Sequence, residues 1–167
     1  MTHTPEEIGE RIVELLPRLR RFARSLSRNQ HDADDLVQSG IERAWRHLAQ
    51  FKSGANLASW MFGIMKNAWV DSLRARHRRG EVALPEDSGE HPAVSPVDAS
   101  TELWSVSEAM SKLPEDQRLA VALVLVEGLS YKEAADLLEI PMGTLTSRLA
   151  RARTALAASL GADGNTP

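Results

Sequence analysis

The sequence predicts an all-α protein built from two small helical domains joined by an acidic linker, and three observations carry that prediction. Apolar residues recur at three- and four-residue spacing along most of the chain. No stretch shows the two-residue alternation of a strand. From Gly80 to about Ser100 the periodicity gives way to Gly, Pro, Ser and acidic residues, the composition of a flexible linker. The predicted division is therefore a helical domain over 5–80, a linker over 81–100 and a second helical domain over 101–160. With 167 residues, 43% of them apolar, the chain is long enough for two modest cores.

The first helix starts at Thr4-Pro5-Glu6-Glu7, where Thr4 is the N-cap, Pro5 the first helical residue and Glu7 the second half of a capping box. Its stripe is Ile8, Ile12, Leu15, Leu16, Leu19, Phe22, Ala23 and Leu26, interrupted by Pro17, a potential kink. A second helix is expected from about 32 to 51, with Asp32, Asp34 and Asp35 at the positive end of its dipole. Its expected core residues are Leu36, Val37, Ile41, Ala44, Trp45 and Leu48. A short loop over 52–56 precedes a long third helix to about 79, with Trp60, Met61, Ile64, Met65, Ala68 and Leu73 at helical spacing. Further helices are expected near 101–112, 114–127, 130–138 and 141–159, followed by a frayed tail, GADGNTP.

Charge is partitioned. The formal net charge is −3, yet residues 8–80 carry 14 Lys and Arg against 7 Asp and Glu, whereas residues 81–107 carry 6 acidic residues and no Lys or Arg. A basic module followed by an acidic connector suits a chain whose first part meets a polyanion. There is no cysteine, and the five histidines show no paired spacing on one helix face, so neither disulfides nor a zinc site is expected. No nucleophile, general-base or phosphate-loop constellation is present, which argues against an enzyme, and no cofactor is implied. No apolar run approaches the roughly 20 residues of a membrane span, so a cytoplasmic protein without membrane insertion is expected.

The segment SYKEAADLLEIPMGTLTSRLARAR reads as two helices joined by a tight corner. Ser130 and Glu133 form a capping box, and the corner at Glu139-Ile140 before Pro141 has helix-turn-helix spacing. On a wheel of 100° per residue, Leu145, Leu149, Ala152 and Leu156 share the core-facing arc. The opposite face carries Gly143, Ser147, Ala150, Arg151 and Thr154, flanked by Thr144, Thr146, Arg148 and Arg153. Small and hydroxyl-bearing residues with protruding arginines suit a helix in a DNA major groove, but the same pattern also fits an ordinary solvated face.

The two motif blocks together resemble the extracytoplasmic-function, or group 4, sigma factors of bacterial RNA polymerase. DADDLVQSGIERAWRHLAQF resembles region 2.2, LASWMFGIMKNAWVDSLRARHRR regions 2.3 and 2.4, LPEDQRLAVALVLVEG region 4.1, and LSYKEAADLLEIPMGTLTSRLARAR region 4.2. LPRLRRFARSLSRNQHDADDLVQ is most similar to the branch that includes the alphaproteobacterial general-stress factors.

The resemblance implies a factor that binds core polymerase through the β′ clamp helices and β flap, recognises the minus 10 and minus 35 promoter elements and initiates transcription. It implies an anti-sigma factor as a further partner. On the matching positions, Asp34, Asp35, Gln38 and Glu42 would meet polymerase, while Lys52 and Asn56 lie where a flipped minus 10 base is held. Lys66, Asn67, Asp71 and Arg74 would face the minus 10 DNA, with Arg76, Arg78 and Arg79 near phosphates. Thr144, Thr146, Ser147, Arg148, Ala150, Arg151 and Arg153 would face the minus 35 element. Trp60 matches a buried position, whereas Trp69 is open to either a core or a stacking role.

The chain departs from the family pattern at Glu139, where the corner usually has glycine, at Thr146, where a basic residue is common, and at Ser39-Gly40, where Glu-Thr is usual. Two rival readings are a sigma-like decoy that sequesters an anti-sigma factor and a dimeric helix-turn-helix repressor. The basic residues retained on both candidate DNA faces speak against the decoy, and the N-terminal module speaks against the repressor.

Overall fold

The computed structural model describes residues 2–80 and 101–163, with side-chain surroundings for 2–80 and 106–161. The expected linker over 81–100 lies outside the described residues. Among the described residues there are helices and turns and no strand.

Helix α1 (Pro5–Leu26) begins with the expected capping box: Thr4 N donates to Glu7 Oε2 at 2.9 Å and Glu7 N to Thr4 Oγ1 at 3.2 Å. Pro17 is exposed and does not end the helix. Helix α2 (Gln30–Arg46) starts two residues earlier than expected, because the Asn29 side chain accepts a hydrogen bond from Asp32 N at 2.8 Å and serves as N-cap. It also ends sooner, and a 3-10 turn (Leu48–Gln50) completes the segment expected to be helical. Helix α3 (Leu57–Arg78) is capped by Asn56.

These three helices share a core of Leu19, Phe22, Leu26, Leu36, Met61, Phe62, Met65 and Trp69, among others. Trp45 has the spacing of a core residue but is 49% exposed, its ring edge lying 3.0 Å from where a Cβ on Gly9 would stand. Trp69, open to either role by sequence, is buried. Trp60, matched to a buried position, is only half-buried and packs against the Phe51 ring at 5.2 Å. At Gly40 a Cβ would lie only 2.6 Å from Met65 Cγ, so the Gly at this departure from the family pattern lets α2 and α3 approach closely.

In the second half, α4 (Thr101–Ser111) is followed by α5 (Glu115–Val121), which runs into a π-helical turn (Ala122–Val126). The single helix expected over 114–127 is thus two kinds of helix in succession. Glu127 N donates to Ala122 O at 3.0 Å, the i to i+5 bond of a π turn, and Gly128 at φ +74° lets the chain leave it.

Helix α6 (Tyr131–Leu138) carries the Ser130/Glu133 capping box, and α7 (Met142–Asp163) comes after it. Leu145, Leu149 and Ala152 are buried as expected, and Leu156 is half-buried against the core. The tail expected to fray from Gly161 is helical to Asp163. The corner is closed by Glu139 in the left-handed conformation (φ 57°, ψ 43°), the only non-glycine residue with positive φ among the described residues. The corner therefore keeps the backbone conformation that glycine would favour.

The two halves touch. Helix α1 packs on α2 and α3 and also on α4, α5 and the π turn, while α3 meets α6. At the centre lies Arg118, 2% exposed. Its guanidinium donates to Met110 O (3.0 Å), Leu26 O (2.9 Å), Ser111 O (2.9 Å), Leu113 O (2.8 Å) and Glu115 Oε1 (3.1 Å). Those carbonyls lie at the C-terminal ends of α1 and α4 and in the turn before α5, where helical partners run out. Burial pulls the Arg118 pKa below its usual value, with Glu115 opposing that shift.

Both unusual positions can be checked by stability measurements. Arg118→Leu takes a donor from four carbonyls, of which Met110 O keeps Leu113 N at 3.1 Å, so denaturant unfolding should show a loss of at least about 3 kcal/mol. Arg118→Lys, with only three donors on one nitrogen, should recover part of it. Glu139→Gly should raise stability by about 0.5–1 kcal/mol, as relief of left-handed strain exceeds the added chain entropy of glycine.

Candidate nucleic-acid interface

On α7 the outward face is as the wheel indicates: Gly143, Ser147, Ala150, Arg151, Arg153 and Thr154 are exposed, and Thr144 and Arg148 are half-buried. The hydroxyls divide by partner. Thr146 Oγ1 donates to Met142 O (2.9 Å) and Thr154 Oγ1 to Ala150 O (3.1 Å), whereas the Ser147 hydroxyl has no hydrogen-bond partner among the described residues. The arginines divide similarly. Arg148 Nε lies 3.5 Å from Asp116 Oδ2 on α5, and Arg153 Nη2 donates to the Tyr131 hydroxyl at 3.2 Å. Arg151 has no ion-pair partner among the described residues, so its guanidinium points into solvent from the middle of the face.

On α3, Asn67, Asp71, Arg74 and Arg78 are exposed at i, i+4, i+7 and i+11, a single stripe, with Lys66 half-buried at its edge. Asp71 Oδ2 accepts from Arg43 Nη1 at 2.8 Å, which ties this stripe to α2. Asp71, Arg74 and Arg78 line an open depression of about 690 Å³ with Leu73, His77 and Glu115. Arg76 is turned to another side: its Nη2 is 2.9 Å from Asp32 Oδ2 and its guanidinium lies 6.0 Å from the Trp69 ring centre. Arg79, at the helix C-cap, is exposed. Trp69 donates from Nε1 to Glu115 Oε2 at 3.1 Å, so its buried indole is not available for stacking on a base.

The loop before α3 keeps Lys52 and Asn56 exposed, with Gly54 at φ +90°. Asn56 Oδ1 accepts from Ser59 N at 3.1 Å as the helix cap, which uses the carbonyl half of the side chain and turns its amide half toward solvent. On α2, Asp34, Gln38 and Glu42 line a groove of about 460 Å³ against α1, floored by Leu16, Val37 and Ile41, and Gln38 Nε2 donates to Glu42 Oε1 at 3.3 Å. Asp35 lies on the other side of α2, near Asp32, Trp69 and Arg76, and 3.4 Å from His31 Nε2. The structure thus brings three of the four expected polymerase-facing residues together and separates the fourth.

Two groups that reading the sequence missed join the halves: the Arg118 fork and a buried acid, Glu127. The Glu127 side chain is fully buried and receives Arg18 Nε (3.2 Å), Arg21 Nε (3.0 Å) and Arg21 Nη2 (3.1 Å), while Arg18 Nη2 donates to Glu127 O (3.3 Å). Its hydrogen bond and charge raise the Arg21 pKa. The partners are more than 100 residues apart in the chain, so helical spacing carries no trace of them; only the lone acid closing the apolar run ALVLV hints at a buried charge.

Among the described residues no group of His, Cys, Asp or Glu is placed to hold a metal ion, and no helix is long and apolar enough to cross a membrane. Residues 12–79 match the model of sigma-70 region 2, and residues 103–156 match that of sigma-70 region 4. The chain is 38% identical over 159 residues to the ECF RNA polymerase sigma factor EcfG of Rhodopseudomonas palustris, an alignment that covers 95% of this chain and 88% of that protein. This chain belongs to the extracytoplasmic-function RNA polymerase sigma factors.

The fold of this sigma factor also matches two solved structures. The first is that of the sigma factor RpoE in complex with the anti-sigma factor NepR from Bartonella quintana, with a TM-score of 0.79 and 34% identity over 95% of this chain and 99% of that one. The second is CnrH in complex with the cytosolic domain of CnrY, with a TM-score of 0.70 and 27% identity over 96% and 91% of the two chains. The likeness to EcfG and to a NepR-bound factor agrees with the general-stress branch that the α1–α2 sequence resembles.

Proposed function

We propose that the chain acts as a promoter-recognising sigma factor: it binds core RNA polymerase, engages minus 10 DNA through residues 5–80 and minus 35 DNA through residues 101–160, and initiates transcription. The observation that carries this reading is the pairing of two matched sigma regions with an open basic stripe in each. Arg74 and Arg78 project from α3, and Arg151 projects from the centre of α7 beside unpartnered Ser147.

Within that reading the side chains differ in task. Arg151, aimed outward, is placed to take base edges bidentately, as arginine does on guanine. Arg148 and Arg153, each held by a neighbour, suit phosphates whose position is fixed by the helix. Thr144, Thr146 and Ala150 shape the same face. On α3, Asn67, Arg74 and Arg78 with Lys66 face the minus 10 DNA, and Asp71 fixes Arg43 beside them. Arg76 and Arg79 lie at the far end of the helix, where they add positive potential. Lys52 and the amide of Asn56 border the loop that holds an extruded base. The α1–α2 groove with Asp34, Gln38 and Glu42 receives the polymerase clamp helices, while Asp35, on the other side of α2, stands apart from it.

The RpoE structure, captured with an anti-sigma factor, supports an anti-sigma factor as the regulating partner here, and the sigma-factor reading places the chain in the cytoplasm without catalytic chemistry of its own. The retained arginines on both faces favour this function over a decoy that only sequesters an anti-sigma factor.

In vitro transcription with core polymerase and a promoter library tests the assignment. If the wild type binds core yet directs no initiation, the reading is wrong. Arg151→Ala should weaken selection at minus 35 by about 1–3 kcal/mol while minus 10 preference is unchanged. Asn56 offers a sharper comparison, because its two halves do different things. Asn56→Ser keeps a capping oxygen and loses the amide, so it should alter minus 10 selectivity with little change in melting temperature. Asn56→Ala should do both, costing about 1 kcal/mol of stability as well.

A further inference from the structure

The closed arrangement of the two halves is held by a specific charge cluster, and its geometry has a functional consequence. Glu127 leaves the π turn with its carboxylate fully buried, while the guanidiniums that cover it, Arg18 and Arg21 on α1, have side chains 40% and 55% exposed. Arg18 is further placed with its guanidinium 5.3 Å from the centre of the Phe62 ring.

Among the described residues, two other hydrogen bonds cross the same seam: Trp69 Nε1 to Glu115, and Arg118 to Leu26 O. Arg118 keeps its other four partners within the C-terminal half, so separation of the halves removes one of its five bonds. Acidic groups at the head of α5 also sit against both candidate DNA-reading helices. Glu115 lines the depression with Arg74 and Arg78 of α3, and its neighbour Asp116 holds Arg148 of α7.

Size decides what this state can do. A compact chain of 167 residues has a radius of gyration near 15 Å and is thus about 40 Å across. Promoter elements centred roughly 25 base pairs apart are separated by about 85 Å at 3.4 Å per base pair. The closed molecule cannot reach both.

Resting on the sigma-factor reading for its biological meaning, we propose that Glu127 with Arg18 and Arg21 is an intramolecular latch, which holds the free chain in a self-masked state and must be released before both promoter elements can be engaged. The latch is asymmetric. Loss of the arginines strands a carboxylate that regains water only by opening, whereas loss of Glu127 leaves two half-exposed arginines that are already partly hydrated. The partial exposure also makes the latch sensitive to salt, since screening weakens the pair. Salt therefore favours opening of the free chain, the opposite of its effect on DNA binding. Because only the open fraction is competent, the latch also lowers the apparent affinity for core polymerase in proportion to the closed population.

The absence of native cysteine allows the test to be made on the full chain, with fluorophores at Glu10→Cys on α1 and Ala158→Cys on α7, both exposed. Single-molecule energy transfer should show a short distance for the otherwise unaltered chain at low salt. Arg18→Ala/Arg21→Ala should raise the extended population roughly tenfold or more, and Glu127→Ala should raise it by less. Added salt should lengthen the distance in the parent and have little effect in the Glu127→Ala chain. Core polymerase should convert the parent to the extended form and bind the Arg18→Ala/Arg21→Ala variant more tightly.

Circular dichroism melts identify variants that remain helical. A helical double variant that keeps the parent distance, or a parent already extended at low salt, overturns the latch. The distance measurement needs no promoter. A parent that is compact and opens on loss of the arginines, yet initiates no transcription, would support the latch while removing the sigma-factor reading.

Discussion

The arrangement of this molecule depends on one buried cation. Helices α1 and α4 both end inside the protein, where their last carbonyls have no continuing helix to accept from. The guanidinium of Arg118 answers this with five N–H groups in a fixed planar fork, one for each of five acceptors on the two helix ends, the turn before α5 and Glu115. A charge at 2% exposure is costly in isolation, and here every donor is used. The orientation of α5, and with it the placement of Glu115 against Trp69 and Asp116 against Arg148, depends on where that fork is anchored.

Local features were legible in the sequence because they depend on neighbours three or four residues away. Both capping boxes, the buried arc of α7 and the outward set around Ser147 and Arg151 were readable on that basis. Trp45 marks the limit of periodicity. It has the spacing of a core residue, but the opposing position on α1 is Gly9, which leaves a shallow surface seat rather than an interior pocket. The early start of α2 has a similar local cause, since an asparagine cap outcompeted the run of aspartates as the boundary signal.

The contacts between the halves were not legible, and the reason is physical. Arg118 to Leu26 spans 92 residues, and Arg18 to Glu127 spans 109. No periodicity relates such positions. Arginines on α1 looked like part of a general basic field, whereas two of them neutralise one buried acid. The candidate DNA faces present the same lesson at smaller scale. Helical spacing puts Arg151 at the centre of one face with Arg148 and Arg153 on its flanks, and tertiary structure tethers the two flanking residues and leaves the central one to solvent. The residue types were readable; which of them are already occupied was not.

The π turn over Ala122–Val126 gives the molecule an unusual kind of adjustability. A π turn amounts to one residue more than the α-helical path requires, and in an α-helix each added residue turns the downstream chain by 100° about the axis. That surplus residue sets the bearing at which Glu127 leaves the helix and arrives between two guanidiniums. The association between the halves is therefore tied to a length as well as to a charge. A single-codon deletion in this turn would swing the acid around the helix axis without altering any side chain on the candidate DNA-facing stripes of α3 and α7. Relatives could then diverge in how readily they open through an insertion or deletion, while their promoter preference remained the same.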